Sequence, residues 1–311
     1  MLICRTPAEM FAACRYVRNA RRGGSRTLGL VPTMGALHAG HMALVAAARA
    51  ECEIVAASIF VNPTQFAPGE DYASYPRTFD EDCRQLEDAG TDLIFAPSVA
   101  EMYPSRNTTL IDPGPIATRL DGASRPGHFC GVATIVARLF HIVSPDRAYF
   151  GQKDAAQVAV IRHLVRDLNF STHIAVCPIV REPDGIAMSS RNRYLSTTER
   201  TQALILHRAL RAAQVLAAAG ETSAAALHLA MLQTINPASQ PGCPIHDSSI
   251  VMGGISEPRL DYAAIVDPST LLPLTDTSHG ALLAVAAWIG ETRLIDNLLL
   301  PPAPVPSPPS K

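Results

Sequence analysis

The segment Pro32-Thr33-Met34-Gly35-Ala36-Leu37-His38-Ala39-Gly40-His41 combines residue types that suit phosphoryl chemistry. It follows a short apolar run of strand type and opens a run that is apolar at helical spacing. Gly35 and Gly40 allow a ligand to approach the backbone closely. A helix start presents unpaired N–H groups and a positive dipole end, which suits phosphate. His38 and His41 are three apart and can both face one polyphosphate. Each imidazole can donate a hydrogen bond to charge developing on a phosphoryl oxygen. A glycine turn with two surface histidines uses the same residues, so the strand–loop–helix setting carries the reading. Metal chelation by the pair would need a third ligand, and none is evident in the sequence.

Three further segments follow predicted strand ends. Gly151-Gln152-Lys153-Asp154 offers a tight exit from a strand, a point cation for phosphate, and a carboxylate for a ribose hydroxyl or a helix cap. Gln157 lies one turn further and points toward the same end. Met188-Ser189-Ser190-Arg191-Asn192 supplies two hydroxyls and a guanidinium, suited to a triphosphate that has left water. Asn62-Pro63-Thr64-Gln65-Phe66 carries amides that can orient a neutral or carboxylate-bearing substrate. Arg125-Pro126-Gly127-His128-Phe129 and Tyr75-Pro76-Arg77 are weaker signals, each readable as a loop with one exposed arginine. Taken singly, these segments also read as a capped helix, a polar linker and a turn. Their shared position after strand ends is what joins them.

The elements that must position these residues alternate in type. Helices are predicted at 10–21, 40–51, 79–89, 132–142 and 155–168. Strands are predicted at 27–31, 53–61, 92–95, 147–150 and 173–180, with Gly23-Gly24-Ser25 breaking the first helix from its strand. This predicts βαβ units and a mostly parallel sheet, which gathers ligands at the carboxyl ends of its strands. After Ser190 the texture changes. Ala/Leu-rich helices are expected at 197–219 and 223–232, an irregular Pro/Gly/Ser-rich insertion at 236–258, and strands at 260–266 and 282–289. The expected organisation is a Rossmann-like α/β catalytic domain at 1–185, a smaller α+β lid domain at 186–300, and a Pro-rich disordered tail at 301–311. No internal repeat is evident.

Composition bounds the function class. With 48% apolar and 17% charged residues over 311 positions, the chain can build a core, and global disorder is excluded. A formal net charge of −2 argues against a basic nucleic-acid footprint but leaves room for a small nucleotide. Seven cysteines without a C-x-x-C pair read as buried thiols in a reducing cytosol rather than as a disulfide or zinc framework. Charge arrives within the first five residues, so no secretory segment is expected. The apolar run at 280–290 is far shorter than the roughly 20 residues of a spanning helix. The expected location is the cytoplasm, with no membrane partner.

These residues resemble the pantothenate synthetase (pantoate–β-alanine ligase) family, of the nucleotidylyl-transferase group, over about 5–297. The resemblance rests on ordered motifs: P-T-M-G-A-L-H-x-G-H at 32–41, F-V-N-P-x-Q-F at 60–66 and Y-P-R-T at 75–78. R-P-G-H-F-x-G-V at 125–132, F-G-x-K-D at 150–154, M-S-S-R-N at 188–192, D-Y at 261–262 and T-R-L-I-D-N at 292–297 complete it. It implies two half-reactions. ATP and (R)-pantoate give bound pantoyl adenylate and pyrophosphate, and the amine of β-alanine then displaces AMP. It implies that His38, His41, Lys153, Ser189, Ser190 and Arg191 hold the triphosphate, with Gly35, Ala36, Leu37, Ala39, Gln152 and Met188 beside it. His41 would be the donor as pyrophosphate leaves.

Met34, Gly40, Gly151, Asp154 and the backbone of Val180 would frame adenosine. Gln65 and Gln157 would hold pantoate, with Asn62 and Gln65 placed for β-alanine and the adenylate. Mg²⁺ would bridge phosphate oxygens with few protein ligands, Asp82 among its neighbours. A homodimer is also implied. Residues 66–77 mix Pro, Gly, Asp and aromatics between two site motifs and form a candidate gate over a water-sensitive adenylate. The insertion at 236–258 and the tail depart from the family pattern. Two other readings remain to be separated by product analysis. One is a nucleotidylyl transferase that keeps its dinucleotide product, such as a phosphopantetheine adenylyltransferase. The other is a non-catalytic nucleotide-binding scaffold.

Overall fold

The structure, a computed structural model, describes residues 1–19, 26–104, 109–236 and 257–303. The predicted helix break at 23–25, nearly all of the 236–258 insertion and most of the 301–311 tail lie outside the described residues. The chain divides into two compact units, Met1–Val180 with Met188–Ser190, and Arg181–Ala187 with Arg191–Lys311.

The first unit holds a six-stranded parallel sheet. Its strands are β1 (Leu2–Cys4), β2 (Leu28–Thr33), β3 (Ile54–Ile59), β4 (Leu93–Phe95), β5 (Arg147–Gly151) and β6 (His173–Cys177), in the order β1-β4-β3-β2-β5-β6. Helices α1 (Pro7–Asn19), α2 (Ala39–Glu51), α3 (Phe79–Asp88), α4 (Val99–Met102), α5 (Asp121–Ser124), α6 (His128–Val143) and α7 (Ala155–Asp167) connect them. β2, β3 and β4 are buried on both faces, as their nearly unbroken apolar runs require. Val31, Val55, Ala57 and Ile94 pack with Leu44, Val45 and Ala48 of α2 and Leu86 of α3. Each such fully buried aliphatic side chain contributes roughly 1.5–3 kcal/mol of transfer free energy, so these contacts outweigh the modest intrinsic strand preferences.

The element boundaries that differ from the sequence reading have local causes. α1 starts at Pro7 because Thr6 and Glu9 form a capping box: Thr6 Oγ1 accepts the Glu9 N–H, and Glu9 Oε2 accepts the Thr6 N–H. α6 starts at His128 because Gly127, at φ +82°, turns the chain into it. β6 ends at Cys177 because Pro178 has no N–H for the ladder.

Strands β2, β3 and β4 step outward in one direction, and β5 then pairs with the other edge of β2. The strand order therefore reverses between β2 and β5. A ligand crevice is expected outside the carboxyl ends of those two strands. The 34–38 loop and the 151–154 turn leave the sheet there.

In the second unit, α8 (Thr197–Ala218) and α9 (Ala224–Ile235) cover an antiparallel sheet of β7 (Arg259–Val266), β8 (Ala281–Ile289) and β9 (Thr292–Leu300). Leu206, Leu210, Leu227 and Met231 pack on Leu283, Val285 and Ile289. β7 carries a bulge at Asp261, whose carboxylate accepts two hydrogen bonds from Arg293 of β9. β9 was not expected from the sequence.

Candidate active site

The loop after β2 is held by a buried carboxylate. Asp82 of α3, 1% exposed, accepts the Ala36 N–H on Oδ2 at 3.0 Å and the Leu37 N–H on Oδ1 at 2.8 Å. Thr78 Oγ1 donates to the same Oδ1 at 3.1 Å. Gly35 stands at φ +87°, and a Cβ there would lie 2.9 Å from Asp82 Oδ2. Ala36, at φ +51°, takes the left-handed conformation at a cost that these two hydrogen bonds offset. Asp82, expected in the neighbourhood of a metal, holds the loop in this structure. Its oxygens are committed to two amides and a hydroxyl, and it does not fit as a direct ligand. Among the described residues no cluster of three His, Cys, Asp or Glu side chains could hold a metal ion.

The two histidines cap α2. His38 Nδ1 accepts the Gly40 N–H at 3.1 Å, and His41 Nδ1 accepts the His38 N–H at 3.4 Å. The rings lie 4.1 Å apart, centroid to centroid. A nitrogen that accepts a backbone N–H carries no proton, so the hydrogen-bond network assigns the proton of each neutral ring to Nε2. Burial pushes His41 down to about 3, and the charges of His38 and Lys153 push the same way. His41 is therefore a neutral N–H donor at physiological pH, not a cation. The Gly40 N–H also reaches Met188 Sδ at 3.3 Å. The expected phosphate loop thus begins against the helix start, and the Met188 N–H donates to the Val180 carbonyl at 2.9 Å. Arg191 and Asn192 belong to the other unit.

After β5, Gly151 faces open space: a Cβ there would meet nothing within 4 Å. Gln152, Lys153 and Asp154 form a 3₁₀ turn leading into α7. Asp154 sits at the N-cap of α7, but its side chain makes no capping hydrogen bond. The carboxylate is therefore not spent on the helix, which removes one of its two expected roles. Gln157 lies in the first turn of α7.

The amide segment departs most from expectation. Asn62, predicted as a substrate contact, is 1% exposed and fully engaged. Its Nδ2 donates to Gln65 Oε1 at 3.1 Å and to the Gly131 carbonyl at 3.2 Å. Its Oδ1 accepts from the Tyr103 hydroxyl at 2.8 Å and from Thr64 Oγ1 at 3.0 Å. Both polar atoms of the Asn62 side chain are therefore paired within the protein, and the residue orients its neighbours. Gly131 permits this closeness, since a Cβ there would lie 2.2 Å from the Thr64 carbonyl oxygen. Gln65 Nε2 donates one hydrogen to Met34 Sδ at 3.0 Å.

The Gln65 carbonyl is held by His128 Nδ1 at 2.7 Å and by Arg125 Nη2 at 3.2 Å. Arg125 in turn forms a bidentate ion pair with Glu70. Burial would raise the Glu70 pKa, but the Arg125 hydrogen bonds and charge outweigh it and hold the carboxyl below its ordinary value. Burial, with the Arg125 charge beside it, pushes His128 down to about 4. The sequence reading ranked Arg125 and His128 as weak signals and missed Glu70 and Tyr103. All four act through partners far away along the chain, which motif spacing does not reveal.

A cavity of about 330 Å³ opens at the carboxyl ends of β2, β3 and β4. Met34, Gly35, Phe60 and Val61 form part of its wall, with Tyr72 and Arg77 from the candidate gate. This is near the lower end of small-molecule sites, which run roughly 300–1,000 Å³. Phe66 packs edge-on to Tyr72 and Tyr75, with centroids 5.4 and 6.0 Å away. Arg77 donates to the carbonyls of Tyr72, Ala73 and Tyr75. Residues 66–77 are thus folded on themselves.

A helix N-terminus with imidazole donors, at the switch point of a doubly wound parallel sheet, defines a nucleotide-binding α/β enzyme. Over residues 2–299 the chain matches the pantoate-beta-alanine ligase family, and it belongs to that family. It is 54% identical over 300 residues to the pantothenate synthetase of Koribacter versatilis, covering 96% of each chain. It is also 54% identical over 306 residues to that of Acidobacterium capsulatum, covering 96% of this chain and 97% of the relative. The crystal structure of pantothenate synthetase from Thermus thermophilus superposes with a TM-score of 0.84 at 47% identity, over 96% of this chain and 99% of that one. The Francisella tularensis ligase, solved with β-γ ATP and β-alanine, gives 0.72 at 32% identity, over 96% and 97%.

Proposed function

We propose that the chain condenses pantoate with β-alanine at the expense of ATP, through a bound pantoyl adenylate. A pantoate carboxylate oxygen attacks the α-phosphorus, and the bond to the β-phosphate breaks to release pyrophosphate. The β-alanine amine then attacks the acyl carbon, the bond to AMP breaks, and the amine proton passes to solvent. Family membership supports the overall condensation.

The first step brings two anions together, so the site must supply positive charge and alignment. The single observation that carries the reading is the pair of Nδ1 acceptors on the α2 cap, which leaves both Nε2–H groups as donors. In this reading His41 and His38 donate to the phosphates, and Lys153 adds its charge at the same place. Ser189, Ser190 and Arg191 take the departing pyrophosphate. Gln65 and Gln157 hold pantoate, and Asp154 takes the ribose. Mg²⁺ accompanies the ATP phosphates without Asp82 as a direct ligand. We assign the enzyme to the cytoplasm, as a homodimer. Among the described residues no helix is long and apolar enough to cross a membrane.

Product analysis with ATP, Mg²⁺ and pantoate tests this. Without β-alanine, pyrophosphate should appear in at most a stoichiometric burst. With β-alanine, AMP should accumulate steadily. Continuous pyrophosphate release with no AMP under either condition would overturn the reading in favour of a transferase that keeps its dinucleotide.

A further inference from the structure

A glutamine amide can present either its oxygen or its N–H₂ to a ligand, and nothing in the side chain itself decides which. In Gln65 the choice is made by its neighbours. Oε1 accepts from Asn62 Nδ2, which leaves Nε2 to donate toward Met34 Sδ. Asn62 can donate in that direction only while its own Oδ1 faces donors. The Tyr103 hydroxyl meets that oxygen at 2.8 Å, the shortest hydrogen bond Asn62 makes. Thr64 Oγ1 meets it at 3.0 Å and stands 3.2 Å from the Tyr103 hydroxyl. The Gly131 carbonyl, which can only accept, and the Thr64 N–H, which faces Oδ1 at 3.4 Å and can only donate, set the polarity of the Asn62 amide, and the Tyr103 hydroxyl supplies the shortest of the bonds that hold it there.

The Tyr103 ring is itself fixed. The Arg138 guanidinium lies 5.2 Å from its centroid, and the Phe60 ring lies 6.3 Å away. Burial raises the Tyr103 pKa, so the phenol keeps its proton throughout any ordinary assay.

We propose that Tyr103 is a positioning residue for the acid substrate: acting through Asn62, it locks the Gln65 amide with its N–H₂ toward the oxygens of pantoate. A turned amide would aim Oε1 at Met34 Sδ and at the substrate carboxylate, setting acceptor against acceptor. The proposal rests on the assignment of Gln65 to pantoate made above.

Steady-state kinetics on Tyr103→Phe, with pantoate varied at saturating ATP and β-alanine, test it. The substitution removes one O–H and keeps the ring. KM for pantoate should rise about 5-fold, the ordinary worth of one hydrogen bond, while kcat and the KM for ATP stay within 2-fold. Asn62→Asp, which puts an acceptor against Gln65 Oε1, should raise the KM for pantoate further. Gln65→Ala is the reference. If it alone leaves the KM for pantoate unchanged, the assignment of Gln65 has failed. If it raises that KM and Tyr103→Phe does not, the positioning role is overturned. Adding Tyr103→Phe to Gln65→Ala should change nothing more, because the hydroxyl acts through the amide. A further rise in the double variant, or equal rises for ATP and pantoate, would mean general loosening and would also overturn the proposal.

Discussion

His38 and His41 cap the same helix with the same ring nitrogen: Nδ1 of His38 accepts the Gly40 N–H of the first turn of α2, and Nδ1 of His41 accepts the N–H of His38 at the N-cap. Both protons are thereby assigned to Nε2. His41→Ala removes one preorganised donor from a water-poor site. The adenylation rate should fall by about 10²–10³, the usual cost of losing such a donor. Single-turnover release of pyrophosphate measures it, and a wild-type rate would remove His41 from the chemistry.

The same burial gives a stability signature. His41 and His128 are held down to about 3 and about 4 in the folded chain. An unfolded histidine titrates near 6.5. Above that pH both states are neutral and the groups contribute no pH dependence. As pH falls through 6.5 the unfolded state takes up protons that the folded state refuses, and folding weakens until the folded pKa is reached. The melting temperature should therefore drop between pH 6.5 and 4, and His128→Gln should flatten that drop. An unchanged slope in the variant would show that other groups set it.

Asp82→Asn tests whether this carboxylate holds the loop or serves a metal. An amide would turn an N–H₂ donor toward the N–H of Ala36 or Leu37, leaving one of them unpaired. Such an unsatisfied buried donor costs about 1–3 kcal/mol. The melting temperature should fall and the KM for ATP should rise, because the loop that holds Gly35 and Ala36 at positive φ loses one of its two bonds to the residue 82 side chain. Titration with excess Mg²⁺ should not restore activity. Restoration by Mg²⁺ would reinstate the metal role.

These sites mark what was legible in the sequence and what was not. The histidine pair at a helix start was visible because the two lie three positions apart and their glycines announce a close turn, whereas their role as caps was not. The parallel sheet was visible because strands buried on both faces are apolar throughout. Asp82 and Asn62 were noticed as residue types, but the protein partners that hold their side chains were not foreseen. Their partners, Leu37 and Tyr103, lie 45 and 41 residues away. β9 was missed because Arg293, Asp296 and Asn297 break its apolar pattern. Two of these, Asp296 and Asn297, are nonetheless 4% exposed. Burial of Asp296 is tolerated because Arg181 pairs with it.

The 66–77 segment carries its own prediction. Glu70 is latched to Arg125, and Arg125 also touches the Gln65 carbonyl. A ligand on Gln65 would stiffen the residues that anchor the latch. Amide hydrogen exchange in 66–77 should slow by about an order of magnitude, roughly 1.4 kcal/mol, when ATP and pantoate are both bound. Arg125→Ala should abolish that protection. Exchange that ignores the ligands would remove the gate from the account.

The last prediction concerns the second unit. Arg181 donates to both oxygens of Asp296, at 2.7 and 3.0 Å, and also to the Gly185 carbonyl. The 181–187 turn closes on itself through an antiparallel bridge between Arg181 and Ala187. Glu182 and Asp184 are both paired with Arg200 of α8. The turn is thus tied to β9 by one ion pair and to α8 by two. Asp296→Ala would leave the Arg181 guanidinium partly buried without its charge partner. Removing one member of a buried pair costs about 3–5 kcal/mol, and Arg181 keeps some solvent contact, so about 2–3 kcal/mol is expected here. Arg200→Ala breaks pairs that lie nearer to water and should cost about 1 kcal/mol or less. Urea unfolding of the two variants measures the difference. Equal losses would mean that the Asp296 site is wetter than its burial indicates, and that α8 rather than β9 anchors the turn.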